Sequence, residues 1–207
     1  MDKVKSKSNR GSFWDIKSNL AKTIETPWKA VSELMMYALR PFAWFYLKIF
    51  CGVKIGRDYK FYGLPRIFRY RKSNIVIGKC FENMNRWDSN PLGINHPTIL
   101  CTWGSKALIK IGNDVGISGG SVVSAESIEI GDGTLIGVNT TIIDTDFHPL
   151  ESLKRRYEVD NIRSKGIKIG KNVFIGANCL ILKGSEISDN SIVPAGSIVR
   201  SNTKFKQ

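Results

Sequence analysis

From residue 111 onward a β-branched aliphatic residue returns every six positions. The series is Ile111, Ile117, Val123, Ile130, Ile136 and Ile142, and then, after a gap, Ile169, Ile175, Ile181, Ile187, Val193 and Val199. All twelve are Ile or Val, although only 37 of the 207 residues are, so the run is not a by-product of composition. An α-helix would require a period of 3.6 and an exposed strand a period of 2. A period of six fits a short strand followed by a corner, with the β-branched side chain pointing inward onto its equivalents in neighbouring coils. Gly follows the aliphatic residue at Gly112, Gly131, Gly137, Gly170 and Gly176, where it eases the turn. The fifth position is mostly small or β-branched, as at Ser127, Thr134, Thr140, Ser185 and Ser191. Three hexapeptides close one coil of 18 residues, so 130–147, 169–186 and 187–204 each make a coil, and 111–129 makes one with a single extra residue. The expected fold is mainly β: a parallel β-helix in which each coil bonds to the next.

The N-terminal part follows another rule. Trp28, Val31, Met35, Ala38, Phe42, Phe45 and Ile49 recur at three- and four-residue steps, one face of a helix. Thr26-Pro27 is a suitable start, and Pro41 predicts a kink or a break into two helices. Residues 1–12 are polar and basic, with the composition of a disordered tail. The chain therefore divides into a basic amphipathic helical segment, 1–52, and a β-helix domain, 53–207.

Charge follows the same division. Residues 1–79 hold 17 Lys and Arg against 5 Asp and Glu, and residues 80–207 hold 14 against 13. An excess confined to one segment implies an anionic surface there, such as acidic lipid or nucleic acid. No nucleic-acid-binding motif accompanies it, so two roles stay open for the helical segment, contact with an anionic membrane and capping of the open end of the β-helix, and the two can coexist. Ala30–Phe50 is interrupted by Glu33, Arg40, Pro41 and Lys48 and is not expected to span a bilayer. No leader-like apolar core is visible near the start, which suits the cytoplasm or the inner face of its membrane. Cys51, Cys80, Cys101 and Cys179 form no CxxC pair and are expected to be free thiols.

The repeat fails at one place. Ile143 and Asp146 stand where small residues are usual, His148-Pro149 follows, and the frame resumes only at Ile169. Residues 148–168 must leave the coil as a loop, and a long loop in a compact solenoid is usually functional. The chain has two histidines, and one of them, His148, stands at the head of this loop. His96-Pro97 lies in an irregular stretch, where a histidine without chemical duty is the simpler reading. Transfer of an acyl group to a hydroxyl needs a base of near-neutral pKa, which histidine supplies. Asp144 and Asp146 flank it. Either can orient the imidazole, grip acceptor hydroxyls or be a solvated turn carboxylate, with Asp146 preferred because it occupies a corner position. Ser118, and with it Ser121, lies one coil earlier.

The segments IGNDVGISGG (111–120), IEIGDGTLIGVNTTIIDTDFHP (128–149) and IKIGKNVFIGANCLILKGSEISDNSIVPAGSIV (167–199) resemble the left-handed β-helix acyltransferases. These include maltose and galactoside O-acetyltransferases and polysaccharide-modifying acetyltransferases. The left hand comes from this resemblance, since general connection rules favour the right. The resemblance implies that His148 takes the proton of an acceptor hydroxyl, which then attacks the acetyl thioester of acetyl-CoA, and that no metal takes part. It implies a substrate-binding group of Asp144, Asp146 and Ser118. It also implies a donor groove along Phe174, Ala177, Ala195 and Arg200, with backbone at the two alanines meeting the pantetheine arm and Arg200, Lys204 and Lys206 meeting phosphates. A sugar or glycan acceptor and a homotrimer follow from the same source. Three other functions compete. Serine acetyltransferase shares the fold, a metal-dependent β-helix enzyme needs three histidines per site, and a non-catalytic β-helix leaves His148 at the break unexplained.

Overall fold

A computed structural model describes residues 27–203, with side chains described from Leu34 onward. The basic tail and Lys204 and Lys206 lie outside the described residues.

Eighteen short strands form three parallel sheets of six, the three faces of a triangular left-handed β-helix of six coils. The first face runs from Lys54–Ile55 through Asn74–Ile77, Leu108–Ile111, Ser127–Ile130 and Ile167–Ile169 to Glu186–Ile187. The second runs from Lys60–Tyr62 through Glu82–Met84, Gly116–Ser118, Leu135–Ile136 and Phe174–Ile175 to Ile192–Val193. The third runs from Arg66–Arg69 through Ile99–Thr102, Ser121–Ser124, Thr141–Ile143 and Leu180–Leu182 to Ile198–Val199.

The register explains the six-residue period. Ile111, Ile130, Ile169 and Ile187 stack in line on the first face, and Ile117, Ile136, Ile175 and Val193 on the second. All are buried, and together they form the core down the axis of the prism. On the third face the stacked residue beside Ile142 is Val122, not Val123. The cause is local: Gly119 and Gly120 adopt φ of +63° and +91°, which shortens the preceding corner by one residue, and the following corner is longer. The frame read through Val123 is thus one residue out.

The corner glycines serve closeness more than dihedral freedom. A Cβ on Gly131 would lie 2.5 Å from the backbone of Gly170 in the next coil, so the coils can stack only with a hydrogen there. Gly131→Ala is expected to lose about 1–3 kcal/mol, the usual cost of overpacking a rigid contact, read as a lower denaturant midpoint in chemical unfolding.

The helix runs unbroken from Pro27 to Phe45 and then widens into one π-helical turn, Tyr46–Phe50, closed by the Cys51 N–H donating to the Tyr46 carbonyl at 3.0 Å. Pro41 lies inside it and does not split it in two. Tyr59 helps to hold this stretch by donating its hydroxyl to the Arg40 carbonyl at 3.3 Å. Met36, Ala43 and Leu47 are buried, and the helix packs across the strand Lys60–Tyr62 of the first coil. It therefore closes one end of the prism, where stacked aliphatic side chains would otherwise meet water. All four cysteines are free thiols, and burial pushes the Cys101 thiol above its ordinary pKa.

Candidate active site

The loop begins where the strand Thr141–Ile143 ends, and its two ends are held together. Lys165 N–H donates to the Asp144 carbonyl at 2.9 Å, Asp146 N–H donates to the Arg163 carbonyl at 3.1 Å, and Thr145 and Ser164 pair as an antiparallel bridge. From this neck Phe147 adopts φ of +61°, a left-handed conformation rare for a bulky residue. That turn throws His148 outward, and Pro149 behind it is buried.

His148 is exposed, and its Nδ1 lies 3.1 Å from the carbonyl oxygen of Arg155. A carbonyl can only accept, so the contact requires the proton on Nδ1. The Nε2 lone pair of the neutral ring is then open to solvent, the tautomer a general base needs. The group that orients the imidazole is therefore a loop carbonyl and not a carboxylate.

Asp144 and Asp146 do different work from that read in the sequence. Asp144 is fully buried, and its carboxylate accepts from Ser124 Oγ at 2.8 Å and from the N–H groups of Ala125 and Glu126 at 2.6 and 3.0 Å. With no exposed surface it cannot grip a substrate; it ties the neck of the loop to the coil below. Asp146 pairs with Lys183 of the next coil through Oδ1, and its Oδ2 is buried without a hydrogen-bond partner. A lone pair withheld from water is costly, and of the two carboxylates only Asp146 keeps any exposed side-chain surface, 16 %.

Trp103, which the sequence pattern did not single out, lies at the matching corner two coils earlier. Its indole is 59 % exposed and meets Phe147 edge-to-face, with ring centroids 5.4 Å apart. The available signal was its position: it follows the strand Ile99–Thr102 as Asp144 follows Thr141–Ile143. An exposed aromatic plate next to a base suits the apolar face of a sugar ring. Trp103→Ala is expected to raise the acceptor KM about 5- to 30-fold, from about 1–2 kcal/mol of lost contact, with the acetyl-CoA KM unchanged in the same titrations.

The other site residues lie elsewhere. Ser118, Phe174 and Ala177 line an open groove of ≈ 680 Å³ over the second face, together with Met84, Leu92 and Leu135. One wall comes from the 85–98 insertion, fastened by Asn139, whose Oδ1 accepts the Asn95 N–H at 3.0 Å. Ala177 and Ala195 occupy the same corner one coil apart, and among the described residues neither N–H donates to a protein group. Two such donors about 4.8 Å apart can each bond a carbonyl oxygen of an extended ligand laid along this corner. Arg200 is exposed on the edge that also bears the His148 loop, two coils further on. The third face, about 10 Å of strand, separates that edge from Ala177 and Ala195. The His148 loop and the Ala177–Ala195 corner thus stand on opposite edges of the third face.

The bacterial transferase hexapeptide model of six repeats matches residues 166–201. The galactoside O-acetyltransferase of Escherichia coli is 39% identical over 79 residues, 38% of this chain and 37% of that protein. That of Lactococcus lactis is 36% identical over 80 residues, again 38% and 37%. The Bacillus subtilis protein YvoF, an acetyltransferase by name, is 37% identical over 78 residues, 38% of this chain and 40% of its own length. The chain thus spans about two fifths of the length of these curated relatives. No solved structure gives a significant match. The repeat that stacks the core is also the repeat these comparisons detect: residues 166–201 are similar to the hexapeptide repeats of bacterial transferases.

Proposed function

We propose that the protein is an O-acetyltransferase that moves an acetyl group from acetyl-CoA to a sugar hydroxyl, in the cytoplasm, in the assembly of a surface polysaccharide or lipid-linked glycan. The observation that carries this reading is His148, with Nδ1–H held by the Arg155 carbonyl and Nε2 free. Nε2 accepts the proton of the acceptor hydroxyl, and that oxygen forms a bond to the thioester carbonyl carbon. The carbon–sulfur bond breaks, and the imidazolium returns the proton to the departing thiolate, so the products are an acetyl ester and free CoA. The unpaired N–H groups of Ala177 and Ala195 support donor binding, and the galactoside O-acetyltransferases among the relatives support a sugar acceptor.

The active unit in this reading is a homotrimer. The loop exposes Leu150, Leu153, Tyr157 and Val159, with Leu153 99 % exposed, and the second face exposes Leu135, Phe174 and Ile192. The first face instead carries Lys110, Glu129, Lys168 and Glu186, a surface suited to water. Apposition of the loop to a neighbour's apolar face buries both and brings His148 to a donor corner from another copy. The test is a panel of sugars and lipid-linked sugars supplied with acetyl-CoA, read by thiol release and by the mass of the product. An acetyl ester on one acceptor class supports the reading. Thiol release only with an amine acceptor, or with none, rejects it.

A further inference from the structure

The helix that closes the prism uses only a narrow stripe for that task. Met36, Ala43 and Leu47 face the first coil, whereas Leu34, Met35, Leu39, Phe42, Trp44, Phe45, Ile49 and Phe50 are exposed, Phe50 by 78 %. An apolar patch of eight large side chains on a soluble surface marks a contact with something apolar. Capping does not explain it, since the cap is already complete on the opposite side.

The surroundings identify that contact. The coil on which the helix rests bears Lys54, Arg57, Lys60, Arg66 and Arg69, all exposed, and Arg71 and Lys72 follow at once. Its one acidic residue, Asp58, is paired with Arg40 of the helix at 3.6 Å. Arg69 spends its donors on the Cys51 and Ser73 carbonyls, which leaves its charge uncompensated by these partners. Lys48 reaches over the Trp44 ring at 5.4 Å from its centroid, placing a cation at the border of the apolar patch. A second copy of the chain would bring like charge against like around this patch. No helix among the described residues is long and apolar enough to cross a membrane, so the arrangement suits a helix lying in the interface plane.

We propose that the exposed face of the helix Pro27–Phe45 and the turn Tyr46–Phe50 docks on an anionic lipid surface, the basic first coil meeting the headgroups while the chain's β-helix stands away from the bilayer. Such a contact would hold the His148 loop near acceptors that are themselves carried on lipid. The full-length chain is tested by sedimentation with vesicles of phosphatidylcholine alone and with added phosphatidylglycerol. Binding only to the anionic vesicles, weakened by salt, is expected. Lys54→Gln, Lys60→Gln and Arg66→Gln together are expected to weaken it by at least tenfold, at about fivefold per basic residue near the surface. Phe42→Ser with Ile49→Ser should abolish it while circular dichroism stays unchanged, because both side chains are exposed. Failure to bind anionic vesicles at low salt overturns the proposal. So does equal binding to neutral vesicles, and so does self-association through Phe42 and Ile49 without vesicle binding, which would assign the face to a second copy. None of these outcomes depends on acetyl transfer, so the membrane contact and the enzymatic reading stand or fall separately.

Discussion

His148→Ala is expected to lower turnover about 10²–10⁴-fold, the usual scale for loss of a general base, with little change in stability. The ring is exposed, and its one recorded hydrogen bond is to the Arg155 carbonyl, so its removal leaves no cavity in the core. The carbonyl it leaves is on an exposed segment where water can take its place. The loop neck, built from Asp144, Thr145, Asp146 and their partners at 163–165, does not involve the imidazole. His148→Asn is the sharper control. Its amide can still donate toward Arg155 but offers no basic nitrogen, and turnover should stay as low as in the alanine variant. Recovery of more than half the wild-type rate in either variant, with acetyl-CoA and the true acceptor, would remove His148 from the mechanism.

Leu153→Asp with Tyr157→Asp is expected to convert a trimer to monomers and to reduce turnover by about 10²-fold or more, although neither residue touches the base. Both side chains are exposed in the single chain, so their replacement costs the isolated fold almost nothing. Buried against a neighbour, each new carboxylate would lack a partner. Activity falls because catalytic geometry is intolerant of displacement, about 10²-fold per 1 Å, and His148 and the Ala177–Ala195 corner stand on opposite edges of the third face. Analytical ultracentrifugation gives the mass, and a mixing experiment gives the site. His148→Ala protomers and Ala195→Pro protomers, the second lacking the N–H, are each expected to be inactive. If each site joins His148 of one subunit to the Ala177–Ala195 corner of its neighbour, as proposed, the two refolded together in equal amounts should regain about a quarter of the sites. An active monomer, or no recovery on mixing, would show that the site lies within one chain.

The fold was legible because it is written in one aliphatic column. The last four coils could be read from Ile111 to Val199, and the only misplaced residue there, Val123, sits after a Gly-Gly corner whose backbone saves a residue. The first two coils were harder to see. Ile55, Phe61 and Ile67 do keep the six-residue step, but Phe61 breaks the chemical uniformity of the column. In the next coil the inward position is Asn83, which is buried and donates to Thr98 and to the Ile117 carbonyl. The 85–98 insertion then interrupts the count. At the candidate site, the break at residues 143–148 pointed to His148, since a lapse in a strict pattern is visible in one dimension. The partners of His148 were not visible. A backbone carbonyl such as that of Arg155 has no sequence signature, and the difference between Asp144 and Asp146 lies in which of them turns toward the coil. Trp103 escaped notice because its relation to Phe147 spans 44 positions and exists only once the coils are stacked.

The anchoring of the catalytic loop has a further consequence. Its ends at Asp144 and Lys165 are joined by a backbone hydrogen bond and flanked by strands that pair in register with the coils on both sides. Chain inserted between two points already fixed costs little: doubling such a loop adds only about 0.6 kcal/mol of closure entropy. The insertion at 85–98 is closed in a related way, the Thr98 N–H donating to Asn85 Oδ1 at 2.7 Å. The solenoid can therefore lengthen, shorten or rewrite these excursions without disturbing the stacked column, while Ala177 and Ala195 sit at corners directly after the column residues Ile175 and Val193 and are held by the stacking of the coils. On the proposed reading, donor recognition would be fixed by the architecture and acceptor choice left free to diversify in the interruptions.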